Sequence, residues 1–155
     1  MHEAPSDIIR RLSQPMAPIA TDCPPRLDKL PDIRAVLFDV YGTLLISGSG
    51  EVGTARQSAR EDSFAEALRA IGIEPTGSIE PALQYSFDLI EQRHTAGRNR
   101  GIDYPEIEIV EIWAAVLERL QQDGAIPHSP YDRDDLKQLA VEYEARTNPV
   151  WPMPG

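Results

Sequence analysis

The chain is most informative over residues 33–45, which read IRAVLFDVYGTLL. Four apolar residues, 35–38, are flanked by Ile33 and Val40, a pattern typical of a strand buried on both faces of a parallel sheet. Asp39 then interrupts the apolar run. Because an unpaired carboxylate is costly to bury, an aspartate at the point where a buried strand opens into a loop usually has a partner or a chemical role. The stretch therefore predicts a strand that ends in a functional carboxylate.

The residues after Asp39 predict a turn that can bind a ligand. An open parallel sheet binds ligands outside the carboxyl ends of its strands, which is where Asp39 is expected. Gly42 lets the backbone turn sharply and approach a ligand closely. The hydroxyl of Thr43 can hold the carboxylate or bind an anion. The simpler alternative is an aspartate that caps an ordinary loop after a strand.

These residues resemble the first motif of the haloacid dehalogenase (HAD) superfamily, a hydrophobic strand followed by Asp-x-x-Gly-Thr-Leu, matched here by residues 39–44. The resemblance implies that Asp39 is the nucleophile, which forms a covalent aspartyl intermediate that water then hydrolyses. It also implies that Thr43 is catalytic and that Tyr41 and Gly42 contact the substrate. The implied activity is hydrolysis of a small anionic substrate that is either phosphorylated or halogenated.

Tyr41 bears on the choice between these two chemistries. Phosphatases of this family commonly carry a second aspartate here as general acid and base, and a phenol with an ordinary pKa of about 10 replaces it poorly. Tyrosine looks more like the dehalogenase branch, in which halide leaves without protonation and no metal is needed. If the reaction is phosphoryl transfer, the resemblance implies Mg²⁺ held by the Asp39 carboxylate, the Tyr41 backbone carbonyl and a later acidic residue.

The sequence between residues 48 and 147 predicts a helical domain. Apolar residues recur at helical spacing in four stretches, bounded by glycines and prolines. The predicted helices span 56–71, 79–96, from Pro105 to just before Gly124, and 132–146. A Gly/Ser-rich loop at 47–53 is the expected hinge. Four short-linked amphipathic helices make a bundle, and this matches the helical cap that the HAD family inserts after its first motif.

The expected fold is therefore α/β, an incomplete Rossmann-like core strand with an inserted α-helical cap. Residues 33–47 form the first core strand and nucleophile loop, and residues 48–147 form the cap. Residues 1–32 hold six of the fourteen prolines and are expected to be a loosely ordered extension. Residues 148–155 look like the family's linker from the cap back to a missing core.

Within the predicted cap, Arg93 and Arg98 are candidate substrate-binding residues. They cluster with His94 and Arg100 near the end of the second predicted helix, where guanidinium groups can meet an anionic substrate. The alternative is that cations near a helix C-terminus interact favourably with its dipole. Two interpretations are also open for three aromatic residues, Tyr85, Tyr104 and Trp113. They either line an apolar pocket or belong to the core.

The remaining motifs of the HAD core are missing from the sequence. They are a Ser or Thr at the end of a second strand, a Lys or Arg, and acidic residues that hold metal. Three residues have suitable side chains: Asp134, Asp135 and Lys137. They lie on a predicted helix, however, and their pattern favours a solvated helix face. We therefore expect a truncated hydrolase that is inactive alone. The alternatives are a non-catalytic helical binding module, or half of a split enzyme completed by a partner chain.

Composition limits the partners and the compartment. Fifteen basic against 25 acidic residues give a net charge of −10, which argues against binding to nucleic acid or to anionic membrane surfaces. No segment approaches the roughly 20 apolar residues that span a bilayer. The single cysteine, Cys23, cannot form an intramolecular disulfide and fits a reducing, cytoplasmic location.

Overall fold

Five helices and two short strands make up the computed structural model, which describes residues 2–18, 20, 22–26, 28–29, 31–48 and 57–154. In chain order the elements are α1 (Pro5–Leu12), β1 (Leu45–Ser47), α2 (Gln57–Ala70), α3 (Glu80–Asn99), α4 (Ile109–Gln122), α5 (Arg133–Thr147) and β2 (Val150–Pro152). Helices α2 to α5 coincide with the four predicted helices to within a few residues, so the helical bundle is confirmed. Most of the predicted hinge, residues 49–53, lies outside the described residues.

The bundle is built around α4, whose apolar stripe is buried on two sides. Helix α4 packs against α3 and α5, and α2 packs against α5. Leucine and β-branched residues at spacings of three and four place one broad apolar face of α4 toward the core. The fully or almost fully buried core side chains include Phe64, Leu68, Ile112, Trp113, Val116, Leu117, Leu120 and Leu139.

Helix α5 begins with a reciprocal capping box. Asp132 Oδ1 accepts hydrogen bonds from the backbone N–H groups of Asp134 and Asp135 at 2.8 and 2.9 Å, and the Asp132 N–H donates to Asp135 Oδ2 at 2.9 Å. These bonds satisfy backbone donors that have no partner inside the helix. The N–H groups of Asp135 and Asp134 lower the pKa of Asp132. On the exposed face Lys137 pairs with Asp134 at 2.9 Å, so the prediction of a solvated helix face is confirmed.

The N-terminal region contains a helix that the sequence analysis did not predict. Helix α1 packs against α5, and Ile8 is completely buried. Arg11 donates to the buried carboxylate of Glu142 at 2.6 Å and to Glu3 Oε2 at 2.8 Å, and Arg146 also donates to Glu142. A buried carboxylate needs such compensation. The expectation that residues 1–32 are loosely ordered throughout is therefore wrong for the segment 5–12.

The sheet differs from the predicted one. Strands β1 and β2 pair antiparallel, with Leu45 opposite Pro152 and Ser47 opposite Val150. Residues 33–40, the predicted core strand, have no strand structure, and no backbone hydrogen bond joins residues 33–39 to another described residue. Residues 148–155, predicted to be a linker, instead supply β2. No parallel, Rossmann-like sheet occurs within the described ranges.

Candidate functional site

The motif residues 39–44 form a tight turn that leads into β1. The carbonyl of Val40 accepts hydrogen bonds from the N–H groups of Leu44 and Leu45, at 2.9 and 2.8 Å, and the Gly42 N–H donates to the Leu45 carbonyl at 2.7 Å. Gly42 has φ of +82°, a conformation that L-residues with a side chain rarely adopt. The backbone turn predicted at Gly42 is therefore present, although the preceding strand is not.

Both predicted catalytic side chains are exposed. Asp39 and Thr43 lie on the surface, and neither the Asp39 carboxylate nor the Thr43 hydroxyl hydrogen-bonds to any residue that the structure describes. The expected contact in which Thr43 holds the carboxylate is therefore absent from this part of the chain. An unpaired, solvated carboxylate is open to an incoming molecule, but nothing orients it toward one.

A cavity of about 530 Å³ lies beside this turn, with Tyr41 in its wall. Most of the rest of the wall comes from α1 to α5, with Val150 of β2 also contributing, and most of the side chains are apolar. Its principal members are Ile9, Arg60, Ser86, Phe87, Ile90, Ile109, Ile112, Trp113, Ala140, Tyr143 and Glu144. Small-molecule sites typically have volumes of about 300 to 1,000 Å³ and apolar walls with a few polar groups. The cavity has the size and composition of such a site.

Three aromatic rings in mutual contact connect the cavity wall to the core. Trp113 lies 5.3 Å from Phe64 and 5.0 Å from Tyr143 between ring centroids, and Phe64 and Tyr143 meet edge to face at 5.9 Å. Such pairs favour fixed relative orientations. Burial raises the pKa of Tyr143 to about 12, so its phenol stays protonated at neutral pH and can donate a hydrogen bond.

Arg60 brings a positive charge to the cavity. Its guanidinium carbon lies 5.2 Å from the centre of the Phe87 ring, a cation–π contact. Arg60 lines the cavity and also an adjoining groove that contains Glu61 and Glu80. Its charge partly offsets the rise in the Tyr143 pKa. Arg60 was not among the residues predicted from the sequence, although its position four residues before Phe64 places it on the apolar stripe of α2.

Arg93 and Arg98 lie outside the cavity that Tyr41 lines. Arg93 pairs with Glu111 of α4 and lines a separate groove with Arg100. Arg98 donates to Glu91 at 2.6 Å, a bond that lowers the pKa of that carboxyl, and to Thr95 Oγ1 at 2.9 Å. Neither arginine contributes to the wall that contains Tyr41. Their placement therefore favours ion pairing on the surface of α3 over substrate binding.

The three aromatic residues that were predicted to line a pocket or to form the core occupy different environments in the structure. Trp113 is 3% exposed and serves both as core and as cavity wall. Tyr104 is largely exposed and Tyr85 partly so, and neither lines the cavity. Of the three, only Trp113 has both of the roles that the sequence left open.

The donor set for Mg²⁺ is incomplete around Asp39. Asp39 and the backbone carbonyl of Tyr41 belong to the same turn, but no cluster of three His, Cys, Asp or Glu ligands in the described ranges includes Asp39. The one such cluster found there joins His2 to Asp132 and Asp135, which already form the capping box of α5. A magnesium site at Asp39 would need a third ligand from outside these residues.

Comparison with known proteins gives no relative: no family model matches the chain, and neither a curated protein nor a solved structure matches it significantly. The HAD resemblance therefore remains a prediction that depends on residues 39–44. No helix in the described part of the chain is both long and apolar enough to cross a bilayer.

Proposed function

We propose that this chain is a HAD-like hydrolase component that acts through Asp39 on a small halogenated or phosphorylated substrate. One observation supports the proposal more than any other. The Asp39 carboxylate is exposed and unpaired among the described residues, two residues before Tyr41, which lies in the wall of an apolar cavity of ligand size. An exposed carboxylate close in the chain to a ligand-sized cavity is compatible with covalent catalysis.

The dehalogenase chemistry fits the available groups better than phosphoryl transfer does. A carboxylate oxygen of Asp39 attacks the carbon that bears the halogen, a C–O bond forms, and the C–halogen bond breaks as halide leaves. Water then hydrolyses the ester, which regenerates Asp39 and releases a hydroxy acid and a proton. The halide needs no proton from an acid, so tyrosine at position 41 is compatible with this first step.

Phosphoryl transfer makes greater demands on the site. Mg²⁺ would be held by Asp39 and the Tyr41 carbonyl, and it would neutralise charge on the transferred phosphoryl group. Only two of the three predicted ligands lie in the motif turn. The remaining catalytic motifs of the family do not occur in these 155 residues, so in either reaction we expect these residues alone to have little or no turnover.

The test is to trap the first covalent intermediate. The wild-type chain, Asp39→Asn and the control Asp62→Asn, which alters an exposed aspartate of α2, are each incubated with 2-chloropropionate. Adducts are located by peptide mass spectrometry, because Cys23 can also be alkylated. An ester on Asp39 is expected in the wild type and in Asp62→Asn, and it accumulates because its hydrolysis is slow. Absence of that ester argues against the dehalogenase mechanism.

A parallel assay covers the phosphatase branch and the prediction of low turnover. Release of p-nitrophenolate from p-nitrophenyl phosphate is followed with and without Mg²⁺. Release by the wild type that Asp39→Asn abolishes would support Asp39 as a phosphatase nucleophile. Sustained turnover of either substrate would contradict the expectation that the chain is inactive alone. Failure of both the ester and the phosphatase assay would overturn the proposed hydrolase.

A non-catalytic binding module is the second candidate, and one observation favours it. Val36, Leu37 and Phe38 are 64%, 96% and 65% exposed, and their backbone groups are unpaired among the described residues. Exposed apolar patches of this kind commonly mark interaction sites, and an unpaired extended segment can add to the edge of another sheet. If Asp39 reacts with neither substrate, binding through this segment becomes the preferred function.

A further inference from the structure

We propose that the cavity is a binding site for a neutral ligand with a large apolar body and one hydrogen-bond acceptor, such as a carbonyl oxygen, to which the Tyr143 hydroxyl donates. This inference goes beyond the proposed function and does not depend on it. Asp39 is not among the residues that line the cavity, so a ligand held there need not be the molecule with which Asp39 reacts.

The apolar body of the ligand is inferred from the cavity wall. Phe87, Ile90, Ile112 and Trp113 present aromatic and branched side chains to a space of about 530 Å³. Binding an apolar group against them removes apolar surface of both partners from water, and this gain grows with the area buried. The wall therefore favours a ligand with one or two fused rings over a ligand of a few atoms.

The ligand is inferred to be neutral because the charged groups of the wall already have partners. Among the described lining residues, Arg60 is the single Lys or Arg side chain, and it interacts with the Phe87 ring and with further groups. The Glu144 carboxylate lies in the same wall and accepts a hydrogen bond from Asn148 at 3.3 Å. An anion would lose its hydration without gaining a free cation, and a cation would be repelled by Arg60.

The acceptor on the ligand is inferred from the Tyr143 hydroxyl. Its raised pKa, about 12 because of burial, keeps it protonated at neutral pH, so it is a hydrogen-bond donor. It hydrogen-bonds to no described residue, and no buried polar side-chain atom of the described chain lacks a partner, so the hydroxyl is accessible. Edge-to-face contacts with Trp113 and Phe64 hold the ring, and a donor that is already held in place loses little freedom on binding.

Most other polar groups of the wall already have partners. Ser86 donates to the Leu83 carbonyl at 2.6 Å, and Thr147 donates to the Tyr143 carbonyl at 3.0 Å. The buried amide of Asn148 also both accepts and donates hydrogen bonds. These groups are therefore occupied within the protein.

Two more hydroxyls of the wall, those of Ser13 and Tyr41, also lack a hydrogen-bond partner among the described residues. Tyr41 is 45% exposed and Ser13 is partly exposed at the end of α1, so water competes for both. Neither side chain is held by ring contacts of the kind that orient Tyr143. The Tyr143 hydroxyl is thus the donor best placed to recognise a ligand inside the cavity.

The test compares two fluorescent probes of nearly the same shape, the neutral ketone 6-acetyl-2-(dimethylamino)naphthalene and the anion 6-(dimethylamino)-2-naphthoate. Each is titrated with the wild-type chain at neutral pH. The ketone should bind and shift its emission to shorter wavelength, as it does in apolar surroundings. The carboxylate should bind at least about tenfold more weakly, because it must give up its hydration without gaining a free cation.

The hydroxyl is tested with Tyr143→Phe and the matched control Tyr104→Phe, which removes a 92% exposed hydroxyl outside the cavity. Tyr143→Phe should weaken the ketone by about fivefold, the order expected for a neutral hydrogen bond. It should also move the emission of the bound ketone further to shorter wavelength, because the carbonyl no longer accepts a hydrogen bond. Tyr104→Phe should change neither the affinity nor the emission.

Further variants locate the bound ketone. Ala140→Trp and Ile90→Trp fill the cavity from α5 and from α3, and each should weaken the ketone at least about tenfold while the fold is retained by circular dichroism. Leu37→Asp alters the exposed segment 33–38, where Leu37 is 96% exposed, and it should leave the affinity unchanged. Loss of binding in Leu37→Asp would place the ketone on that segment and overturn the inference, even if neither cavity-filling variant folds.

The remaining outcomes separate this inference from the proposed function. No binding of the ketone, binding of the carboxylate that is as tight as that of the ketone, or identical behaviour of Tyr143→Phe and Tyr104→Phe would overturn the inference. Asp39→Asn should bind the ketone as the wild type does. A bound ketone without an ester on Asp39 leaves a binding site but no dehalogenase, whereas an ester without a bound ketone leaves the reverse.

Discussion

Helix α4 and the segment 33–40 are both rich in apolar residues, yet the structure buries one and exposes the other. Leu120 in α4 is 0% exposed, whereas Leu37 is 96% exposed. A helix satisfies its backbone internally and needs only one apolar face covered. A strand must find neighbours for its N–H and C=O groups as well as for its side chains. Apolar composition alone therefore does not bury a segment whose backbone partners are absent.

The largest expected contrast comes from the same substitution in the two regions. Leu120→Ala should lower the free energy of unfolding by about 2 to 5 kcal/mol, because it leaves a cavity in the packed core. Leu37→Ala should change it by no more than about 0.5 kcal/mol, as for exposed positions. Urea unfolding followed by far-UV circular dichroism measures both. A cost at Leu37 close to that at Leu120 would mean that the segment is packed in solution.

A smaller contrast is expected between a buried and an exposed ion pair of α5. Arg146→Met removes one of the two guanidinium groups that compensate the fully buried Glu142, and it should cost about 2 kcal/mol or more. Lys137→Met breaks the solvated pair with Asp134 and should cost less than about 1 kcal/mol. The same urea experiment compares them, and equal costs would contradict the buried arrangement of Glu142.

The smallest effect concerns the capping box and appears only in acid. Backbone hydrogen bonds lower the pKa of Asp132 in the folded protein relative to about 3.9 when unfolded. The stabilisation is therefore complete above the unfolded-state pKa and is lost as the pH falls through the lower folded-state pKa. Asp132→Asn keeps a capping acceptor without this titration.

Thermal unfolding midpoints between pH 6 and about pH 3 test this prediction. The fall in midpoint should be smaller in Asp132→Asn than in the wild type, and unchanged in the control Asp62→Asn. An identical fall in all three chains would show that the capping carboxylate contributes nothing to acid stability.

The sequence predicted the helices well because their signals are local. Apolar residues at spacings of three and four, with Pro81 near one helix start and Gly124 after another helix end, locate α3 and α4. The strand predicted over residues 33–40 is absent from the structure because a strand forms only when it pairs with residues that are distant in the chain. Helix α1 was missed because its short apolar patch is stabilised by α5, through Ile8 and the Arg11–Glu142 pair.

The candidate site could be predicted only in part, because only its turn is determined by neighbouring residues in the sequence. The turn around Gly42 is encoded locally and was anticipated. Arg60, Trp113 and Tyr143 meet at the cavity only because α2, α4 and α5 pack together. Spacing within one helix could place Arg60 on the apolar stripe of α2, but it could not show that this stripe borders a cavity. Arg93 and Arg98 were proposed as substrate-binding residues because of their charge, but they lie outside the cavity.

The most direct test of the account is hydrogen–deuterium exchange on the purified chain, comparing backbone amides 34–39 with those of α4. We predict exchange near the unfolded rate for 34–39 and strong protection around Val116 to Leu120. That result would establish a folded bundle that carries the nucleophile motif on an unpartnered segment. Strong protection of 34–39 would contradict it, since the Asp39 segment would then have found hydrogen-bonding neighbours in another arrangement of this chain or in a second copy.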